Sequence, residues 1–373
     1  MAMRKHKYEE VKDVLRERAR RHPFGTKLAS TSKLHKELGV SSQTINRAMS
    51  DLVDEGILER RPRRGTFVSH PDRSTRNLGF IWPEAMERLV KHPYAGTILH
   101  GIQAEAGSRN RHLLVASNGD AAHPPFLGER DEVAGVLILF NYDRRLVKAY
   151  IGRAIPVMLI VPLVRVEGVP FVTSDHYLGT HGAVMHLLKL GHRRIVHVTL
   201  DIPGCIPVEE KLRGYNEAMR EGGVEEMACV YRAHPEPWND VHDDAFVDML
   251  RSFQATACCC FDDDVAACTI RVCHKAGIRV PDELSVVGYD DSGIATHVWP
   301  PLTTVHVPLE EMGRTAVRLL VELIEGNRLT GYGITLPTRL IERASTKPSS
   351  SRLSEVTRGE VSSASTVSEG VAS

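Results

Sequence analysis

The chain is 373 residues long, with 42% hydrophobic and 25% charged residues, and its 47 basic and 47 acidic side chains leave no formal net charge. This length predicts two domains, the composition is typical of a soluble globular protein, and the apolar runs are too short to span a bilayer. No apolar segment follows the basic N-terminus, and the seven cysteines have no CxxC spacing. We therefore expect a cytoplasmic protein without a secretion signal, a disulfide framework or a cysteine-based metal site.

The charge is distributed unevenly along the chain. Residues 1–76 contain 18 basic and 10 acidic side chains, whereas the remaining residues contain 29 basic and 37 acidic ones. A small basic segment joined to a larger acidic one is typical of a protein that binds a polyanion through one end only. We therefore expect a nucleic acid to contact the N-terminal segment.

Three helices are predicted at the N-terminus. Apolar residues at helical spacing between Tyr8 and Ala19 predict a first helix that ends near His22 and Pro23. Ser30 is suited to cap a second helix that stops at Gly39, and Ser41 is suited to cap a third helix that stops at Gly56. Because the turn between the second and third helices is so tight, the pair is predicted to be a helix-turn-helix.

A basic hairpin is predicted directly after the third helix. Residues 57–68 read ILERRPRRGTFV, in which apolar residues flank a turn that contains proline and glycine. Four arginines repel one another in so short a hairpin unless an anion neutralises them, and DNA phosphate is such an anion. The hairpin therefore predicts a wing that contacts the DNA backbone.

Residues 6–69 resemble the GntR family of winged-helix regulators, through the frame LGVSSQTINRAMSDLVDEGIL and the final GTFV. The resemblance implies that the third helix lies in the major groove of double-stranded DNA. The residues that it implies at the DNA surface are Ser32, Ser41, Ser42, Gln43, Thr44, Asn46, Arg47, Arg63, Arg64 and Gly65. Ser32 and Ser42 stand where the family commonly has arginine, and Gln43 and Asn46 suit adenine. We therefore expect an operator that differs from the family's usual one.

From residue 78 onward, short apolar strands alternate with amphipathic helices, which is the pattern that builds doubly wound parallel sheets. The predicted strands are 78–82, 112–117, 135–140, 155–160, 171–175, 195–200, 229–233, 257–261, 284–290 and 303–307, and the predicted helices are 95–107, 178–190, 208–221, 241–252, 264–276 and 309–325. The series is long enough for two sheets with a cleft between them. The predicted fold class is therefore α/β, with an N-terminal winged helix-turn-helix and a two-lobed, doubly wound parallel-sheet domain.

Residues 77–345 resemble the LacI/GalR-type effector domain, which is itself similar to periplasmic sugar-binding proteins. The resemblance rests on HLLKLGHRRIVHVT, KLRGYNEAMREGGV and VVGYDDSGIATHVWPPLTTVHV. A GntR-type head on such a body is the arrangement of arabinose-repressor-type regulators. It implies a periplasmic-binding-protein-like effector domain that forms a homodimer, binds a small molecule between its lobes and needs no cofactor.

The resemblance also implies which residues bind the effector. They are Tyr94, Lys211, Trp238, Asp262 and Asp290. Asp290 ends a strand, where its carboxylate can accept hydrogen bonds from two hydroxyls, and the aromatic faces of Tyr94 and Trp238 can stack on a ligand. Lys211 replaces the usual arginine, so it keeps the charge but loses the planar fork.

Four segments are predicted along the chain: the winged helix-turn-helix domain 1–68, a linker 69–77, the effector-binding and dimerisation domain 78–346 and a disordered tail 347–373. The tail is rich in serine and poor in large apolar residues. Residues 120–132 contain two prolines where the LacI/GalR-type domain has a full helix. The sequence does not show what covers the sheet there.

These patterns predict a cytoplasmic, homodimeric DNA-binding regulator, most simply a repressor, whose operator affinity is controlled by an effector. A sugar is the favoured effector, because the implied residues combine carboxylates with aromatic rings. A nucleobase or a sugar phosphate remains the alternative. A solute-binding protein would leave the basic head without a role, and the chain has no GxSxG, HExxH or P-loop motif to indicate an enzyme.

Overall fold

The structure is a computed structural model that describes residues 2–22, 26–55, 57–61, 64–68, 76–82, 93–117, 122–127, 133–141, 143–233, 240–327 and 333–349. The chain divides into two compact units. The first comprises Met1–Val172 and Glu310–Ile334, and the second comprises Thr173–Leu309 and Thr335–Ser373. None of the helices in the described ranges combines the length and the apolar character that crossing a membrane requires.

The first unit begins with the three predicted helices and the hairpin. These are α1 (Ala2–Arg21), α2 (Thr31–Leu38), α3 (Ser42–Asp54), β1 (Leu58–Arg61) and β2 (Gly65–Val68). The predicted caps are confirmed, because the Ser30 hydroxyl accepts from the amide of Lys33 and the Ser41 hydroxyl accepts from the amide of Thr44. The apolar faces of the helices meet in one core that includes Leu15, Leu34, Ile45, Leu52 and Leu58.

The rest of the first unit is a parallel sheet with flanking helices. Its elements are β3 (Asn77–Trp82), α4 (Pro93–Ser108), β4 (His112–Ser117), β5 (Gly135–Leu139), α5 (Arg144–Gly152), β6 (Val157–Ile160), β7 (Phe171–Ser174), α11 (Leu309–Ile324) and β13 (Gly333–Leu336). The strand order is β13-β7-β6-β5-β3-β4, and the ladders from β4 through β7 are parallel. The nine-residue α5, whose buried residues are Leu146, Val147 and Tyr150, is not among the predicted helices.

Two apolar side chains cover the sheet where the family's crossover helix is missing. Phe126 and Leu127 pack against the core built from β5, α5 and β6. Phe126 lies so close to β3 that a Cβ on Gly79 would come within 2.7 Å of its ring. The Tyr150 hydroxyl donates to the carbonyl of Pro125 at 2.6 Å. A short apolar loop therefore takes over part of the helix's packing role.

The second unit is another doubly wound sheet. Its elements are α6 (His176–Lys189), β8 (Ile195–Leu200), α7 (Ile206–Glu221), a 3₁₀ turn (Glu225–Met227), β9 (Cys229–Ala233), α8 (Asp240–Phe253), β10 (Ala257–Cys260), α9 (Asp263–Lys275), β11 (Ser285–Asp290), α10 (Ile294–His297), β12 (Thr303–His306) and β14 (Arg339–Ile341). The strand order is β14-β12-β11-β10-β8-β9, and only β14 runs antiparallel to its neighbour. The predicted α/β fold class is confirmed.

The end of the described chain is anchored to the second unit. The amide of Lys347 donates to the Ser285 hydroxyl at 3.1 Å, and the amide of Ser349 donates to the carbonyl of Leu190 at 2.9 Å. These bonds contradict the predicted start of the disordered tail at Lys347, because residues 347–349 satisfy their backbone groups on the sheet and α6. The rest of the predicted tail, residues 350–373, lies outside the described residues, as does most of the predicted linker 69–77.

Candidate functional site

The exposed face of α3 carries most of the predicted base-reading residues. The opposite face is buried through Ile45, Ala48, Met49 and Leu52. Because these apolar residues fix the helix against the head, the polar face is directed outward. Its exposed side chains are Ser42, Gln43, Asn46 and Arg47, and Ser32 is exposed on the first turn of α2.

Two of the predicted DNA-binding residues serve the cap of α3. The Ser41 hydroxyl accepts from the Thr44 amide at 3.2 Å and shares a 2.9 Å hydrogen bond with the Thr44 hydroxyl. These bonds satisfy an amide at the helix N-terminus that has no partner within the helix. Contact of Ser41 or Thr44 with DNA stays a prediction, but the cap gives both residues a structural role.

Arg47 is held by an aromatic ring. Its guanidinium carbon lies 5.1 Å from the ring centroid of Tyr8, and the Tyr8 hydroxyl donates to the carboxylate of Asp51. The cation–π contact restricts the side chain while leaving its charge on the exposed side of the helix. The restricted Arg47 side chain is therefore better suited to contact a DNA phosphate than to adjust its position to the edge of a base.

The wing contains a cation that sequence reasoning missed. Lys27 pairs with Phe67 in an antiparallel bridge, so the segment before α2 extends the hairpin. A Cβ on Gly65 would lie 2.8 Å from Cε of Lys27, which places the lysine stem beside the wing turn. Arg64 is exposed in that turn, and Arg63 lies outside the described residues. The bridge depends on long-range pairing, which the local sequence does not show.

In the second unit, Lys211 is buried near the carboxyl ends of the strands. It lies on α7, only 3% of its surface is exposed, and its ammonium donates to the carbonyl of Phe261 at 2.5 Å. The same nitrogen lies 3.6 Å from the ring centroid of Tyr289 and 4.0 Å from that of Phe261. Burial lowers the pKa of Lys211, although the charges of Asp290 and Asp262 oppose this shift.

Asp290 ends β11 in an unusual backbone conformation. Its φ is +106° and that of Asp291 is +56°, both in a region that L-residues seldom adopt. The turn is held by Asp291, whose carboxylate accepts from Arg343 at 2.5 Å and pairs with His306 at 2.9 Å. Burial raises the pKa of Asp290 well above its usual range, and Lys211 opposes that shift. Within the described chain, no side-chain hydrogen bond reaches the Asp290 carboxylate.

The three consecutive acidic residues after β10 have different roles. The carboxylate of Asp262 caps α9 by accepting from the amide of Val265 at 2.7 Å. The carboxylate of Asp263 is directed inward, where it accepts from the Thr304 hydroxyl and the Ser292 amide. Burial raises the pKa of Asp263 to about 6. It therefore supports the turn after β11, while an effector contact by Asp262 stays a prediction.

The first unit carries a second group of candidate residues. Tyr94 is buried at the start of α4, and its ring stacks on Phe140 with centroids 5.6 Å apart. Asn141 follows at the carboxyl end of β5 and is 2% exposed. Neither polar atom of its side-chain amide has a hydrogen-bond partner in the described part of the chain. A buried amide in this state is a costly feature that a polar ligand can satisfy.

Sequence reasoning did not select Asn141, although a signal was available. An asparagine two residues after a fully buried strand lies at the carboxyl edge of a parallel sheet, where α/β proteins bind their ligands. Trp238, the other predicted aromatic, lies outside the described residues. The structure thus brings Lys211, Asp262 and Asp290 together in the second unit and places Tyr94 beside Phe140 and Asn141 in the first.

Comparison with known proteins identifies both parts of the chain. A family model described as bacterial regulatory proteins of the gntR family matches residues 7–68, and a model described as a periplasmic binding protein-like domain matches residues 184–346. The predicted resemblance of head and body is therefore confirmed.

Regulators of known sequence and structure resemble more than two thirds of the chain. The HTH-type transcriptional regulator DegA of Bacillus subtilis (strain 168) is 32% identical over 272 residues, which are 69% of this chain and 79% of that protein. An arabinose metabolism transcriptional repressor of Geobacillus stearothermophilus is 28% identical over 343 residues, 86% of this chain and 92% of that protein. The structure of a transcriptional regulator CelR–cellobiose complex has 27% identity and a TM-score of 0.63, and the match covers 82% of this chain and 91% of that one. The chain therefore belongs to the helix-turn-helix transcriptional regulators that join a gntR-type DNA-binding domain to a periplasmic-binding-protein-like domain.

Proposed function

We propose that this regulator is a cytoplasmic, homodimeric repressor whose effector is a neutral sugar recognised by Asp290. The observation that carries this proposal is the Asp290 carboxylate, which a strained turn holds at the carboxyl edge of its sheet without a side-chain hydrogen bond from the described residues. A carboxylate in this state can accept hydrogen bonds from two hydroxyls of one ligand. Relatives support the ligand class, since one is named as an arabinose repressor and one similar structure contains cellobiose.

The state of Lys211 favours a neutral ligand over a sugar phosphate. Its ammonium already donates to the Phe261 carbonyl and lies against two aromatic rings. A phosphate would be repelled by the nearby carboxylates of Asp290 and Asp262, and a single lysine without a planar fork would have to offset that repulsion. A neutral sugar hydroxyl is not repelled by these carboxylates, and it needs only one additional hydrogen bond from the Lys211 nitrogen.

The ligand class is tested by thermal melting of the full chain with pentoses, hexoses, disaccharides, sugar phosphates and purines. A ligand present at ~100 times its dissociation constant adds about 2.7 kcal/mol to the stability of the state that binds it, which raises the melting temperature by a few degrees. We expect one sugar to do so. A shift produced only by phosphorylated compounds or purines would contradict the proposed ligand class.

The role of Asp290 is tested with a matched pair of variants. Asp290→Asn should abolish the shift without lowering the stability of the free protein, because burial already disfavours the charge. Asp264→Asn removes an exposed carboxylate on the first turn of α9 and should keep the shift. Retention of sugar binding by Asp290→Asn would show that recognition lies elsewhere.

Regulation is tested by measuring operator affinity with and without the sugar. A dimer that reads two half-sites requires a roughly palindromic operator. The sugar should change operator affinity by about 5- to 150-fold, the usual range of coupling between two sites. Equal affinity at saturating sugar would refute the regulatory part of the proposal.

A further inference from the structure

A side-chain hydrogen bond joins the two helices of the helix-turn-helix. The hydroxyl of Thr31, the first residue of α2, donates to the side-chain carbonyl of Asn46 on α3 at 3.0 Å. Asn46 is exposed on the polar face of α3, and Arg60 of β1 donates to its backbone carbonyl at 3.4 Å. The Asn46 amide is thus oriented by a neighbouring helix before any DNA is present.

We infer that Thr31 is a positioning residue for base recognition, which fixes the Asn46 amide so that each half-site prefers adenine at one base pair. An amide recognises adenine by donating to N7 and accepting from the N6 amino group. A carbonyl oxygen has two lone pairs, so Asn46 can accept from Thr31 on one side and from adenine on the other. The inference rests on the reading of DNA by α3, which is part of the proposed function.

The location of Thr31 supports a positioning role over direct contact. Its neighbour Ser30 caps α2, and Leu34, one turn further on, is fully buried in the head core. These contacts fix the start of α2 and therefore the direction of the Thr31 hydroxyl. An exposed asparagine otherwise samples several side-chain rotamers. Because Thr31 already holds the Asn46 amide, less side-chain entropy is lost when Asn46 binds a base.

The test begins with the wild-type full chain and a pool of randomised duplexes, from which its preferred operator is selected. Affinity is then measured for that duplex and for duplexes altered at each base pair. Asn46→Ala should remove the preference at one symmetric pair of positions, where a bidentate amide gives about 5- to 150-fold discrimination. Thr31→Val should lower discrimination at the same positions by at least about threefold, whereas Thr31→Ser, which keeps the hydroxyl, should retain it.

A double variant separates positioning from a merely structural effect. If Thr31 acts through Asn46, then Thr31→Val should have no further effect on base preference once Asn46 is alanine. If Thr31→Val weakens binding to every duplex equally, or leaves base preference unchanged, the inference is overturned while operator binding itself stands. If the wild-type chain selects no sequence at all, the proposed DNA recognition fails together with the inference.

Discussion

The acid sensitivity of the second unit should depend on a buried histidine, His197. This residue lies on β8, is completely inaccessible, and stacks on Tyr215 with ring centroids 5.2 Å apart. Its Nδ1 lies 3.0 Å from the carbonyl of Cys259, which can only accept, so Nδ1 carries the proton. In the described part of the chain, Nε2 has no hydrogen-bond partner. A second proton would therefore place an uncompensated charge in the core.

Burial lowers the pKa of His197 to about 4, whereas an unfolded histidine titrates near 6.5. The folded state resists protonation, so the stability that His197 contributes is complete above pH 6.5 and is lost as the pH falls towards 4. The loss is about 1.4 kcal/mol per pH unit, or about 3 kcal/mol across the window. Burial lowers the pKa of His176 to about 3, and this histidine adds a loss of the same sign.

Two acids in the same unit, Asp263 and Asp290, oppose this loss. The pKa of Asp263 is raised to about 6, so between pH 6 and about 3.9 the folded state holds a proton that the unfolded state releases. Its contribution to stability therefore grows as the pH falls. Asp290, whose pKa is also raised, acts in the same direction as Asp263, so only the difference between the parent and a His197 variant isolates the contribution of the histidine.

Replacement of His197 by leucine tests this balance. At neutral pH the substitution should alter the free energy of unfolding only slightly, because it removes one hydrogen bond but also an unpartnered buried nitrogen. Between pH 6 and 4.5 the free energy of unfolding of the variant should fall by about 2 kcal/mol less than that of the parent. Amide hydrogen exchange in β8, corrected for intrinsic rates, measures the opening of this sheet. His274→Gln removes an exposed histidine from α9 and is the control. If the opening free energies of the parent and of His197→Leu change with pH in parallel, the reasoning is refuted.

Two further predictions concern packing and DNA. Gly101→Ala on α4 would place a Cβ 2.1 Å from the backbone oxygen of Glu310, so we expect thermal unfolding to show a loss of about 2–3 kcal/mol. In the control Gly107→Ala on the same helix, the added Cβ meets no atom within 4 Å and should stabilise the protein by about 0.5–1 kcal/mol. Equal effects of the two substitutions would contradict the close approach of α4 to Glu310. Lys27→Ala should weaken binding to all duplexes alike and reduce the slope of log affinity against log salt by about 0.9, whereas a change in base preference would exclude a phosphate contact.

The sequence predicted those parts of the fold that depend on local chemistry. Ser30 and Ser41 reveal the starts of two helices, because a hydroxyl at that position satisfies an amide within the next turn. The buried strands were predicted for a similar reason, since each is a short apolar run between turns. By contrast, α5 has only nine residues and its apolar positions are few, so its periodicity is weak.

The candidate site was less predictable, because its properties arise from residues distant in sequence. The sequence shows an acidic triplet, but not that Asp263 is directed towards Thr304, which lies 41 residues further along the chain. Nor does it show that the ammonium of Lys211 is directed to the carbonyl of Phe261, 50 residues away. Tertiary packing decides which polar groups are satisfied, and therefore which remain available to a ligand.

The energetics of Asp290 indicate how a small ligand can control a larger event. A half-buried carboxylate whose charge is disfavoured, and which receives no side-chain hydrogen bond from the described residues, lowers the stability of the free state. Each hydrogen bond from a ligand hydroxyl to a charged group is worth about 1.5–3 kcal/mol. Coupling between two sites typically amounts to about 1–3 kcal/mol. One such bond, formed in only one of two conformations, is therefore enough to account for the whole coupling. If Asp290 makes that bond, Asp290→Asn should remove the response of operator affinity to the sugar while the affinity of the free protein for DNA stays unchanged.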